Sequence, residues 1–315
     1  MDLVSAFREL VIETPSWGHE DLPQAGRPRD VFERVEDAAE VHRLTGTAGA
    51  MALRFPPDAV EDRADLRWAI EERGLRAGAP RCTLGPAAAL LECVEIAAAL
   101  GAPGLALWPA DGTSFAGQDD LRERRRRLLD GLGRVYAELP AGFELLLAYE
   151  PASDLADWGT ALLTCLTLGP RARVLVETGL GSEQIVALLA LEGRLGGLVS
   201  GAVNPFEQFL AFVELAALDE LPRLAIAGAQ SVEAIVLSVV NLQEAYAKAL
   251  LVDRAALQEA QEFGDALCAH EVLLDAYKTD VRDACARARV ALGAAHDPVV
   301  ALRQSDYVER KAVLR

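Results

Sequence analysis

Residues 173–189 read RVLVETGLGSEQIVALL, and the chemistry in the strand part of that stretch rests on one carboxylate. Val174, Leu175 and Val176 make an apolar strand, and Glu177 is the charge placed where such a strand leaves the core. Gly179 and Gly181 turn the chain, and Ser182 is positioned to cap the helix that follows. A carboxylate at such a place serves as a metal ligand or a general base. The next side chains are Thr178, Leu180 and Ser182, with no histidine or second acid before Glu183. The GLGS turn could hold a phosphate at the helix start, although a plain turn and cap accounts for it.

Isolated groups do chemistry only if the fold gathers them. Short apolar runs recur at 9–15, 49–56, 74–81, 104–111, 143–151, 173–179, 195–202 and 223–230. Amphipathic stretches such as DVFERVEDAAEVHRL and SEQIVALLALEGRL separate them, with apolar residues at helical spacing. Strands apolar on both faces, alternating with helices, predict a parallel sheet under a helical coat. The fold class expected is α/β, a closed (β/α)8 TIM barrel over residues 1–237. A doubly wound open sheet is the alternative, but no G-x-G-x-x-G follows any of these runs. Residues 238–315 read as successive helices, a C-terminal extension packed on the barrel or on a neighbouring subunit.

In such a barrel the chemistry sits at the C-terminal strand ends. The first run ends near Trp17, an apolar wall, and the second offers Arg54 and Asp58. The third gives Arg81, and the fourth a polar loop with Trp108, Asp111, Thr113 and Gln118. The fifth gives Glu150 and the sixth Glu177, while the last two give only Ser200 and Gln230. Of the four histidines, His42 and His270 fall in helical patterns and His19 in a loop, and neither these nor His296 stands at a strand end.

A formal net charge of −17 over 315 residues excludes a nucleic-acid surface, which needs a basic face. The one basic run, RERRRR at 122–127, lies in a helical stretch and reads as a solvated face paired with Asp119, Asp120 and Glu123. Cys82, Cys93, Cys165, Cys268 and Cys285 are odd in number with no C-x-x-C spacing, so thiols in a reducing, cytoplasmic setting are expected, with neither disulfides nor zinc. The N-terminus lacks a leader pattern and no run is long enough to span a bilayer.

The stretches TPSWG, DLPQAGRPRDVFERVEDAAEVHRLTG, LECVEIAAALGAPGLALWPADGTSFAGQDD, DWGTALLTCLTLGPRA, GRLGGL and NLQEAYAKALLVDRAAL together resemble the L-rhamnose isomerase family, over nearly the whole chain and in the same order. That resemblance implies a xylose-isomerase-like TIM barrel, an aldose–ketose isomerase activity, homo-oligomers and two divalent metals, often manganese. The departures fall on the implied metal ligands. Ala148 stands near the fifth strand's expected Glu, and Glu177 is followed by Gly179-Leu180-Gly181 in place of Gly-His-His. Val199 or Ser200 replaces a His, Ala229 precedes Gln230 where an Asp is expected, and Arg54 replaces the second strand's His.

These residues favour a non-catalytic relative with Glu177 as a remnant and no cofactor, binding a sugar or sugar-derived ligand through Trp17, Arg54, Trp108, Asp111 and Gln118, or assembling with an active homologue. Losing a Lewis-acid metal forfeits several kcal/mol of transition-state stabilisation. The alternative is an active isomerase with Mn or Mg held by Glu150 and Glu177. A third reading is metal-free, with Arg54 and Arg81 holding an anionic substrate and Glu177 as base.

Overall fold

The computed structural model describes residues 2–15, 30–55, 62–109, 120–151, 153–200, 204–218, 221, 223–227, 231–305 and 307. The first half runs α1 (Leu3–Glu9), β1 (Val11–Pro15), α2 (Val31–Thr45), β2 (Ala48–Ala52), α3 (Arg63–Glu72), β3 (Arg76–Ala77), β4 (Arg81–Thr83), α4 (Ala87–Ala99), β5 (Gly104–Trp108) and α5 (Leu121–Ala137). The second half runs β6 (Glu144–Leu147), α6 (Trp158–Leu168), β7 (Ala172–Glu177), α7 (Ser182–Leu191), β8 (Leu195–Ser200), α8 (Pro205–Leu215), β9 (Arg223–Ile226) and α9 (Val232–Ala249). Four further helices follow, α10 (Arg254–Glu262), α11 (Ala266–Lys278), α12 (Arg282–Ala291) and α13 (Pro298–Gln304).

Every strand pair is parallel, in the order β3-β2-β1-β9-β8-β7-β6-β5-β4. The two ends of that order, β3 and β4, are consecutive in the chain, separated only by Gly78, Ala79 and Pro80. They are one barrel strand with a break at Pro80, whose ring removes a ladder donor. A bridge between Arg54 and Arg81 closes the ring: the Arg81 amide donates to the Leu53 carbonyl at 2.7 Å and Phe55 donates to the Arg81 carbonyl at 2.8 Å. Each apolar run of the sequence thus contributes one barrel strand, and the α/β barrel expected from them is the observed fold.

The outward faces of the strands carry the larger core, with Ile12, Leu107, Leu147, Val174, Val176 and Leu198 packed under the helices. Side chains of opposite parity fill the lumen. There Ala79, Ala106, Leu146, Ala148, Leu175 and Val199 form a separate small cluster with Trp108, Ala225 and Ala227. Below this apolar plug lies a charged pair: Arg223 Nε is 2.8 Å from Glu13 Oε1, which also accepts the Ala79 amide at 3.2 Å. Gly78 makes room for it, since a Cβ there would lie 2.8 Å from the Glu13 carboxyl carbon. Burial raises the Glu13 carboxyl above the usual carboxylate range, opposed by Arg223 and by the Ala79 amide.

The helices start on side-chain caps, among them Asp30 with a reciprocal box to Glu33, and Asp120, Asp157 and Ser231. Helices α4, α7 and α12 start without one. The expected Ser182 cap is not formed, because Gly181 at φ 74° takes the cap position and Ser182 becomes the first helical residue, buried at 1% exposure. A glycine adopts that left-handed turn without strain, which starts the helix one residue earlier than expected. The arginine-rich run forms the face of α5: Arg126 pairs with Glu123 and Asp130, Arg124 with Asp154, and Arg125 donates to Thr164 Oγ1 at 2.7 Å. Asp120 serves as that helix's cap and Asp119 lies outside the described residues. At the C-terminus α11, α12 and α13 pack on α9, α12 also on α1 and α13 on α2. Among the described residues no single helix is long and apolar enough to cross a membrane.

Two predictions follow from buried charge. His42 is 8% exposed, with Nδ1 3.2 Å from Thr47 Oγ1, and burial lowers its pKa from 6.5 to about 4. The unfolded chain therefore takes the proton first, so this contribution is complete above pH 6.5 and is lost as the pH falls to about 4. Urea unfolding of the wild type at pH 7 and pH 4 is expected to include a loss of about 3 kcal/mol from this residue, absent in His42→Leu. Glu13→Ala leaves the Arg223 guanidinium in the lumen without its counter-charge and is expected to cost about 3 kcal/mol at pH 7 in the same assay, with Glu13→Gln costing less because an amide oxygen still accepts from Ala79.

Candidate functional site

Parity builds the site at the barrel mouth. Arg81 on β4, Trp108 on β5, Ala148 just past β6, Leu175 and Glu177 on β7, Val199 on β8 and Ala227 just past β9 all project into the lumen. With Tyr149 they line a cavity of about 210 Å³ at the C-terminal strand ends. The floor is apolar, made by Ala148, Leu175, Val199 and Ala227, and the walls carry Arg81, Trp108, Tyr149 and Glu177.

The guanidinium of Arg81 lies over the Trp108 ring, 4.3 Å from its centroid. Burial lowers the Arg81 pKa first and the neighbouring charge of Arg54 second, while Glu150 and Glu177 act in the opposite direction. Barrel closure forces that juxtaposition of arginines, because Arg54 and Arg81 are bridge partners on adjacent strands. Burial, with Glu177 as the lesser cause, raises the Tyr149 pKa and keeps its hydroxyl protonated. The mouth therefore offers a cation clamped on an aromatic face, a phenol donor and exposed carboxylates at Glu150 and Glu177. Such an arrangement binds hydroxyl, carbonyl or carboxylate oxygens through a fixed donor fork.

The strand-end residues meet unequally. Arg54, Arg81, Trp108, Glu150 and Glu177 come together at the mouth. Trp17, His19, Asp58, Asp111, Thr113, Gln118, Ala229 and Gln230 lie outside the described residues. Of the pair at the end of β8, Val199 faces the lumen, whereas Ser200 turns outward and accepts from Gln208 Nε2 at 2.7 Å. His42 is a core residue of α2, and His270 on α11 packs edge-on to Phe206. Tyr149 and Leu175 were not singled out from the sequence. The signal was available in the case of Leu175, which shares its lumen parity with Glu177; Tyr149 stands just past a strand end, where parity lapses.

The described residues that line the cavity include one carboxylate, Glu177, as a donor for a divalent metal. Ala148, Leu175, Val199 and Ala227 carry no donor atom, and the cation that the two carboxylates act upon is Arg81. Among the described residues no three His, Cys, Asp or Glu side chains gather as a metal would require.

No protein-family model matches the chain. Solved structures of similar fold include an L-ribulose 3-epimerase, with TM-score 0.58 and 16% identity over 77% of this chain and 97% of that one. A D-allulose 3-epimerase from Methylomonas sp. aligns with TM-score 0.54 and 14% identity over 70% of this chain and 84% of its own. At those identities the likeness shows a shared barrel. In sequence the chain is 32% identical to a probable sugar isomerase of Mesorhizobium japonicum, over 98% of this chain and 86% of the relative. It is also 32% identical to a probable sugar isomerase of Rhizobium meliloti, over 96% of this chain and 86% of that relative. With such identity over almost its full length, and a barrel of the matching kind, the chain belongs to the sugar isomerase family of these two relatives.

Proposed function

We propose that this member of the sugar isomerase family binds a sugar or sugar-derived ligand at the barrel mouth with Arg81 where its family is expected to use metals. The observation that carries the proposal is the Arg81–Trp108 stack above a floor without donor atoms, with Glu150 and Glu177 acting on the Arg81 charge. A guanidinium fixed in its plane by an indole presents a fork of donors to vicinal oxygens. The apolar floor suits the carbon face of a sugar, and the resemblance to L-rhamnose isomerases makes a deoxy-aldose the first ligand to try. Such binding does not supply the Lewis-acid stabilisation of a two-metal centre, so aldose–ketose turnover is expected to be lost and Glu177 to serve as a polar rim residue.

The rival reading is a working isomerase with one divalent metal on Glu150 and Glu177. In that case a divalent ion would share the mouth with the Arg81 guanidinium, and like charges at one site oppose each other.

Calorimetry with L-rhamnose in the presence of a chelator tests the proposal. Binding is expected without added metal and is expected to weaken about tenfold in Arg81→Gln and in Trp108→Ala, with Trp108→Phe closer to wild type. Binding or isomerisation that requires manganese, and that disappears in Glu177→Gln, would contradict it.

A further inference from the structure

Two thiols eleven residues apart in the chain meet behind the candidate site. Cys82 lies on β4 and Cys93 on α4, and their sulfurs are 2.9 Å apart. Cys82 points away from the lumen into the helix-covered core at 5% exposure, whereas Cys93 is only half-buried at the helix surface. Among the described residues the remaining cysteines, buried Cys165 and Cys285 and exposed Cys268, form no such contact. A disulfide needs sulfurs about 2.05 Å apart, so closure asks for a movement of roughly 0.9 Å, within the play of a helix side chain against a strand.

We propose that Cys82 and Cys93 form a reversible intramolecular disulfide when the protein meets a small-molecule disulfide. The order of events comes from exposure and from the hydrogen bond between the thiols. Cys82 donates its S–H to Cys93, which lowers the Cys93 pKa and raises that of Cys82. Cys93 is thus both the accessible sulfur and the one that ionises first. Its thiolate attacks one sulfur of the small disulfide, breaks that S–S bond and releases one small thiolate, leaving a mixed disulfide on Cys93. The Cys82 thiol gives up its proton, its sulfur attacks the Cys93 sulfur, and the second small thiolate leaves. The protein loses two protons and two electrons, and the small disulfide becomes two thiols once the released thiolates take up protons.

The bond would tie α4 to the strand that presents the mouth arginine, since Arg81 is the residue next to Cys82. The chemistry itself stands apart from the identity of any ligand at the mouth, so its test does not depend on the sugar-binding proposal.

The experiment treats the folded 315-residue chain with oxidised glutathione, removes the oxidant, blocks remaining thiols with an alkylating agent in denaturant, and maps peptides by mass spectrometry without reduction. The expected result is a Cys82–Cys93 crosslinked peptide, two hydrogens lighter than the reduced pair, with alkylated Cys165 and Cys285 and with glutathione on the exposed Cys268 as the internal control that oxidant acted. Adding excess reduced thiol is expected to restore alkylation of both Cys82 and Cys93. In Cys93→Ser, Cys82 is expected to remain a free thiol. Alkylated Cys82 and Cys93 beside a glutathione-bearing Cys268, or glutathione retained on Cys93 with Cys82 free, would overturn the proposal, and both outcomes are read on the wild-type protein without any variant.

Discussion

Two arginines are neighbours at the mouth of this barrel because the parallel sheet has to close. The seam runs through backbone hydrogen bonds between the residues after β2 and the first residue of β4, and it pairs Arg54 directly with Arg81. Closure leaves none of these strands, apolar on both faces, with an unpaired edge. Pro80, at the break between β3 and β4, lets the third barrel strand pair with β2 first and with β5 later, and so brings Arg81 to the lumen side of the rim. The like charges created by that geometry then need compensation, and much of the mouth can be read as the answer.

Two kinds of compensation act on Arg81 among the described residues. Trp108, in register with Thr83 on the adjacent strand, gives the Arg81 guanidinium an aromatic face. Glu150 and Glu177, from the ends of the neighbouring strands, supply opposite charge. In a barrel built for divalent metals, carboxylates at strand ends serve the ion, and the lumen beneath supplies further donors. Here the layer beneath is Ala148, Leu175, Val199 and Ala227, and the positive charge is covalently part of the chain. The mouth is consistent in itself: small apolar residues in place of clustered acids spare the lumen the mutual repulsion that unmetallated carboxylates would suffer. The charged pair deeper in the lumen, Glu13 with Arg223, follows the same rule of pairing each buried charge within the barrel.

The strands were legible from the sequence because buried parallel strands announce themselves as short apolar runs, and the lumen parity of Arg81, Trp108 and Glu177 follows once those runs are placed. What sequence spacing does not carry is the phase of one element against another. Glu13 and Arg223 sit on the first and last strands, and Cys82 and Cys93 meet only because α4 packs over β4 in one rotation. Ser182 failed as a cap because Gly181 adopts the left-handed turn, a choice that a rule about side-chain types does not anticipate. The resemblance to L-rhamnose isomerases placed the chain in the right broad family, and the relatives it matches support the sugar isomerase assignment at that coarser level.

The central claim is that an arginine occupies the electrostatic role of metal at this mouth. Elemental mass spectrometry of the purified protein, after dialysis against manganese and magnesium and then against buffer, tests it most directly. The account predicts much less than one divalent ion per chain, unchanged in Glu177→Gln. One or more ions per chain, lost in Glu177→Gln, would contradict it and return Glu150 and Glu177 to the role of ligands.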